Sequence, residues 1–145
     1  MSEDQGPLSS PGFWLHHAAL TWRAELDARL RPLGLTPTQF MLLGSAGWLE
    51  RESAVPPTQQ EVAEQAGADR MMTSKILRAL EDRGLLTRKA DPDDARVLRL
   101  QLTEAGRELT RKAIAVAAEL DAQYFGKDPK TLRAELRRMA HLRFR

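Results

Sequence analysis

Residues 58–102 read TQQEVAEQAGADRMMTSKILRALEDRGLLTRKADPDDARVLRLQL, and the order of local signals in this stretch decides the fold. Thr58 and Glu61 have the spacing of a capping box, in which each side chain satisfies the other residue's backbone N–H at a helix start. Gly67 stops that helix, because glycine takes the left-handed conformation past a helix end without steric cost. Ala68 and Asp69 cover the turn, and Asp69 is placed to cap the next helix. In that helix Thr73, Ile76, Leu77 and Leu80 share one face, while Met71, Ser74, Lys75 and Arg78 share the other. Gly84 ends it. Leu98, Leu100 and Leu102 then alternate with Val97, Arg99 and Gln101, the pattern of a half-buried strand. Asp91-Pro92-Asp93-Asp94 supplies the turn between that strand and the basic one before it.

Helix, tight turn, helix, strand, turn, strand is the order of a winged helix-turn-helix. A helix with this exposed face fits the major groove of B-form DNA, where each base pair shows its own donor and acceptor pattern. Lys75 and Arg78 are donors of the kind that read guanine or grip phosphate. Ser74 bonds base or backbone, and Met71 and Met72 suit contact with a thymine methyl. Between Arg70 and Arg99, Lys or Arg stands at 70, 75, 78, 83, 88, 89, 96 and 99, against Asp or Glu at 81, 82, 91, 93 and 94. The segment is therefore net positive, as a phosphate-binding surface requires. The competing reading is a winged-helix interaction module that docks a protein and has no DNA role. The basic helix face and the wing arginine weigh against it.

Composition narrows the class. The chain has 145 residues and a formal net charge of only +2, so any affinity for nucleic acid rests on local placement of charge. With no cysteine there are no disulfides, no thiolate metal sites and no thiol redox sensor. No run reaches the roughly 18 apolar residues of a membrane span. The opening MSEDQGPLSSPG is acidic and turn-rich without signal-peptide character, which reads as a flexible tail over residues 1–12 of a cytoplasmic protein.

Outside the central stretch the chain is helical. Residues 13–31 carry one apolar stripe, Leu15, Ala19, Trp22, Leu26 and Leu30, and a second strip, Phe13, Leu20 and Ala24, nearly opposite. Thr36-Pro37-Thr38-Gln39 opens the next helix with a capping box and a proline at the first position, and that helix runs to about Arg51. Glu52 to Pro57 reads as a loop. Thr103 caps a long helix to about Phe125, with Leu109, Ala113, Val116, Leu120 and Tyr124 on one side and Ile114, Ala118 and Phe125 on the other. Asp128 and Pro129 read as the cap and first turn of a last helix whose apolar face is Leu132, Leu136 and Met139. A surface helix needs only one apolar side. Two-sided helices at both ends point to a homodimer, unless the second faces complete a monomer core. The fold class is then mainly α with a small β-wing, a single domain over 13–145. Its winged lobe spans 36–102, and a helical dimerisation lobe is built from 13–31 and 103–145.

The run ALEDRGLLTRKADPDDARVLRLQLTEAG resembles the wing of the MarR family of bacterial transcription regulators. The matching pieces are Leu80-Glu81, Gly84-Leu85, Arg88-Lys89, Asp94-Ala95-Arg96 and Leu102-Thr103-Glu104-Ala105-Gly106, and the likeness extends upstream through LRPLGLTPTQFMLL. The resemblance implies a homodimer on double-stranded DNA, with a recognition helix in the major groove and the wing arginine, Arg96, in the minor groove. Asp94 matches the wing aspartate that holds an arginine; turn formation alone is its other reading. The DNA-binding set is then Met71, Met72, Ser74, Lys75, Arg78, Arg88, Asp94 and Arg96. Family recognition helices usually carry small hydroxyl residues where this chain has Met71 and Met72.

The resemblance also implies a repressor released by a small aromatic or anionic effector in a crevice between the two lobes. Trp14, His17, Trp22 and Trp48 are candidates for its lining and Arg23 for its anion partner, with core packing as the other reading of each tryptophan. His16 and His17 diverge by about 100° on a helix and do not share a metal. No metal or cofactor is expected. Nucleophile elbow, P-loop, dinucleotide glycine pattern and HExxH are all missing, so the chain does not read as an enzyme. Nor does the Asp91, Asp93 and Asp94 cluster follow an EF-hand loop.

Overall fold

The computed structural model describes residues 6–142. Six helices and one hairpin follow in the order α1 (Pro11–Leu30), α2 (Pro37–Glu52), α3 (Gln59–Ala66), α4 (Arg70–Asp82), β1 (Leu86–Ala90), β2 (Leu98–Leu102), α5 (Glu104–Phe125) and α6 (Lys130–Ala140). This is a winged helix-turn-helix carried on terminal helices. No helix among the described residues is long and apolar enough to cross a membrane.

Both capping boxes form with both arms. The Thr36 hydroxyl accepts from Gln39 N at 3.2 Å, and the Gln39 carboxamide accepts from Thr36 N at 3.0 Å. Thr58 and Glu61 repeat the exchange at 3.1 and 3.2 Å. Gly67 sits at φ 66° and turns α3 into α4, whose first N–H groups, those of Met71 and Met72, both donate to the Asp69 carboxylate. β1 and β2 pair antiparallel, with Leu86 opposite Leu102, Arg88 opposite Leu100 and Ala90 opposite Leu98.

The core lies where α1, α2, α4, the wing and α5 converge. Leu26, Leu30, Leu42, Leu43, Leu77, Leu80, Leu86, Leu100 and Leu120 are fully buried or nearly so. Each contributes on the order of 1.5–3 kcal/mol by leaving water. Of the expected α4 face, Thr73, Leu77 and Leu80 are buried, and the buried Thr73 hydroxyl donates to Asp69 O at 2.6 Å. The junction between wing and α5 is held by Thr103: its N donates to Leu85 O at 3.1 Å, and its hydroxyl donates to Gly84 O at 2.7 Å.

Two sequence expectations are corrected here. Residues 1–5 of the expected flexible tail lie outside the described residues. Gly6–Ser9, however, form a 3-10 turn, and α1 starts at Pro11 with the Ser10 hydroxyl accepting from Phe13 N at 3.2 Å. The helix-start signal of Ser followed by Pro was there to be read. Asp128 does not cap α6. It holds a left-handed φ of 47°, and its carboxylate pairs instead with Arg133 at 3.2 Å and Lys130 at 3.6 Å. The expected loop is present over residues 53–57, with Glu52 still in α2, and it is tied to the wing: Pro57 O accepts from Leu100 N at 2.9 Å, and Thr58 just beyond it bridges Arg99.

The outer faces of the terminal helices stay uncovered in the single chain. Leu15, Leu20, Ile114, Leu132, Leu136 and Met139 are exposed, and α6 has no buried residue at all.

Candidate nucleic-acid interface

Three elements meet on one side of the molecule: the N-terminal ends of α3 and α4, and the wing. A cleft of about 270 Å³ between them is lined by Thr58, Gln59, Gln60, Ala63, Arg70, Thr73, Arg96, Val97 and Leu98. The face of α4 turned away from the core presents Met71, Met72, Lys75 and Arg78 to solvent, with Ser74 half-buried beside them. Met71 and Met72 are 86% and 63% exposed, at the end of the helix where side chains reach first into a groove. Lys75 and Arg78 have no carboxylate partner among the described residues, so their charges remain free for an anion.

The wing tip is stiffened by two carboxylates. Asp91 accepts backbone N–H bonds from Asp93 at 2.8 Å and Asp94 at 3.1 Å, and pairs with Arg99, which also donates to Pro56 O at 2.6 Å. The Arg99 guanidinium, with the Asp93 N–H next, holds the Asp91 carboxyl below its usual range. Asp94 grips Arg96 through both guanidinium donors, at 3.0 and 3.1 Å, and through its backbone N–H at 3.0 Å. Those bonds lower the Asp94 pKa in turn. Arg96 is nonetheless 91% exposed. It is aimed rather than neutralised: a splayed, pre-ordered guanidinium loses less freedom on entering a groove than a mobile one.

Arg88 stands apart from the rest of the expected DNA-binding set. The hairpin register puts it opposite Leu100, on the inner face of the wing, where its side chain is only 12% exposed. Its Nε donates to Glu81 at 3.3 Å and a terminal nitrogen donates to Gln59 at 3.2 Å. It therefore ties wing, α3 and α4 together. The outward cation of β1 is Lys89, opposite Arg99. Alternation counted from Leu86 would have found it, since residues two apart share a strand face. Gln59, Gln60 and Arg70 line the cleft and were also not singled out from sequence.

The five proposed ligand residues are not brought together. Trp14 is exposed and donates to Leu8 O at 2.9 Å, His17 lies against Phe13 at 4.4 Å between ring centroids, and Trp22 donates to Asp121 at 3.0 Å. Trp48 is exposed beneath the Arg51 guanidinium at 5.7 Å. Arg23 alone reaches a crevice between the terminal helices and the winged lobe. That crevice, of about 310 Å³, is lined by Thr38, Met41, the Ala66–Asp69 turn, Met72 and Ile76, and Arg23 donates to Thr38 at 2.7 Å across its edge.

The model of the MarR family matches residues 35–98. The chain is 33% identical to the uncharacterized HTH-type transcriptional regulator YdcH of Bacillus subtilis, over 86% of this chain and 84% of that one. It is 32% identical to the HTH-type transcriptional repressor Rv2887 of Mycobacterium tuberculosis, over 94% and 92%. The crystal structure of that MarR family protein with salicylic acid superposes with a TM-score of 0.62, covering 96% of this chain and 97% of that one. The transcriptional repressor CouR bound to a 23-mer DNA duplex superposes at 0.80, with 30% identity and coverage of 97% and 99%. CouR from Rhodococcus jostii RHA1 bound to p-coumaroyl-CoA gives the same score at 28% identity.

Proposed function

The chain belongs to the MarR family of transcriptional regulators, and from that premise we propose that it is a homodimeric repressor of a pseudo-palindromic DNA operator. The observation that carries this reading is the pairing, on one face, of Lys75 and Arg78, which have no carboxylate partner among the described residues, with the clasped but exposed Arg96. In it, Met71, Met72, Ser74, Lys75 and Arg78 read the major groove. Arg96, aimed by Asp94, enters the adjacent minor groove, where a narrow A/T-rich stretch has enhanced negative potential. Arg88 and Glu81 set the angle between wing and helix.

One recognition helix covers only a few base pairs. Two related by a twofold axis cover half-sites about one helical turn, roughly 34 Å, apart. The uncovered apolar faces of α1, α5 and α6 supply a surface for such a dimer, with residues 13–31 and 103–145 as the dimer lobe and 36–102 as the winged lobe. An effector is proposed to act at the crevice beside Arg23. A small aromatic or anionic molecule there would wedge between α1 and the turn that precedes α4, and change the spacing of the two reading helices. CouR with p-coumaroyl-CoA and Rv2887 with salicylic acid support a ligand of this class.

The test is stoichiometry on a duplex selected from random sequence by the protein. Sedimentation of the complex is expected to give two chains per duplex and the selected sequence an inverted repeat. One chain per duplex on an asymmetric site would overturn the dimer. On the same duplex, Arg96→Ala is expected to weaken binding about tenfold and to reduce the slope of log affinity against log salt by about one. An unchanged slope would remove the wing from the DNA.

A further inference from the structure

The chain has no cysteine, so thiol chemistry cannot report oxidants. Yet the two most exposed large hydrophobic side chains among the described residues are both thioethers, Met71 and Met72. They are adjacent and sit at the start of α4, on the face assigned to base reading. The other methionines described are in different settings: Met41 is half-buried against the core, and Met139 lies on α6, far along the chain from the reading face. Exposure is what sets how readily a thioether is oxidised, and the conversion is reversible by sulfoxide reductases. Arg70, Lys75 and Arg78 stand on the same helix, and their positive charge does not repel a small neutral oxidant such as hypochlorous acid.

We propose that Met71 and Met72 are an oxidation site through which hypochlorous acid releases the protein from DNA. The proposal rests on the reading of α4 as the DNA-reading helix. Each sulfur donates an electron pair to hypochlorous acid and gains its oxygen. The sulfur is oxidised to the sulfoxide, chlorine is reduced to chloride, and one proton is released. The product carries a strong acceptor oxygen and no donor. In the major groove most base-edge groups are themselves acceptors, namely guanine N7 and O6, adenine N7 and thymine O4. An apolar contact suited to a thymine methyl is thereby replaced by an oxygen without a partner. Leaving a desolvated acceptor unpaired costs roughly tenfold in affinity for each sulfoxide, and on the order of a hundredfold for the pair. Both N–H groups at this helix start stay bonded to Asp69, so α4 keeps its cap when the side chains change.

The experiment treats the full chain with a few equivalents of hypochlorous acid, maps oxidised methionines by peptide mass spectrometry and measures affinity for the selected duplex before and after. Expected are preferential sulfoxide at Met71 and Met72, a fall in affinity on the order of a hundredfold, and recovery on incubation with methionine sulfoxide reductases. The Met71→Leu, Met72→Leu protein has its own starting affinity. Its ratio of affinities before and after treatment is expected to stay near one. Unchanged affinity of the doubly oxidised wild type overturns the proposal. So does a loss that the reductases do not reverse, or an equal loss in the leucine protein. An untreated protein that binds no duplex would instead remove the DNA-reading assignment beneath it, which separates the two failures.

Discussion

Gly106→Ala is expected to destabilise the protein by about 3–5 kcal/mol, as overpacking against a backbone that cannot yield falls at the severe end of single substitutions. A Cβ at this position would stand 1.9 Å from the carbonyl oxygen of Leu85 and 2.9 Å from its carbonyl carbon. The clash is with main chain, so no side-chain rotation relieves it. Nor is Leu85 O free to move, since it accepts from Thr103 N at 3.1 Å within the wing–α5 junction. Relief requires α5 to lift away from the wing, which breaks the Thr103 hydroxyl bond to Gly84 O and unseats Ala113 and Leu120 from the core. Such a loss is a large part of the 5–15 kcal/mol typical of a folded domain. Chemical denaturation followed by circular dichroism checks it. A midpoint equal to that of the wild type would show that the junction relaxes without cost and that the close approach is incidental.

The second large effect falls on DNA and leaves the fold alone. Lys75 and Arg78 are exposed and make no ion pair among the described residues, so their removal should change stability by no more than about 0.5 kcal/mol. A good base or phosphate contact from such a side chain is worth about 1–3 kcal/mol. Lys75→Ala with Arg78→Ala is therefore expected to lower specific affinity by roughly a hundredfold to ten-thousandfold. Affinity for unrelated duplex should fall less, because the contact proposed for Arg96 at the wing is left in place. Titration by fluorescence anisotropy against specific and scrambled duplexes measures both. Unchanged discrimination would mean that α4 does not read the bases.

The elements legible in the sequence are those written in local chemistry. Thr58 and Glu61, Thr36 and Gln39, Gly67 and Asp69 each act on backbone within four residues, and each does in the structure what its spacing predicts. What the sequence concealed depends on contacts across elements. Arg88 looks like a free cation until the hairpin register turns it toward Glu81 and Gln59. Pro57 lies in the loop its sequence predicts, but the bond its carbonyl accepts from Leu100 N appears only when the wing folds beside it. The tryptophans share a composition signal, but each has a different partner, Leu8, Asp121 or Arg51, so residue type alone did not assemble a crevice. Gly106 belongs to a recognisable run, but the Leu85 carbonyl that forbids any larger residue there appears only when the wing folds onto α5.

The most direct test of the central claim is selection from a random duplex pool followed by anisotropy on the selected and a scrambled sequence at 50 and about 200 mM salt. Specific DNA reading by two recognition helices predicts enrichment of an inverted repeat, bound at least about a thousandfold more tightly than the scrambled duplex. It also predicts affinity that falls steeply with salt. A pool that shows no enrichment, with weak binding indifferent to sequence, would contradict it.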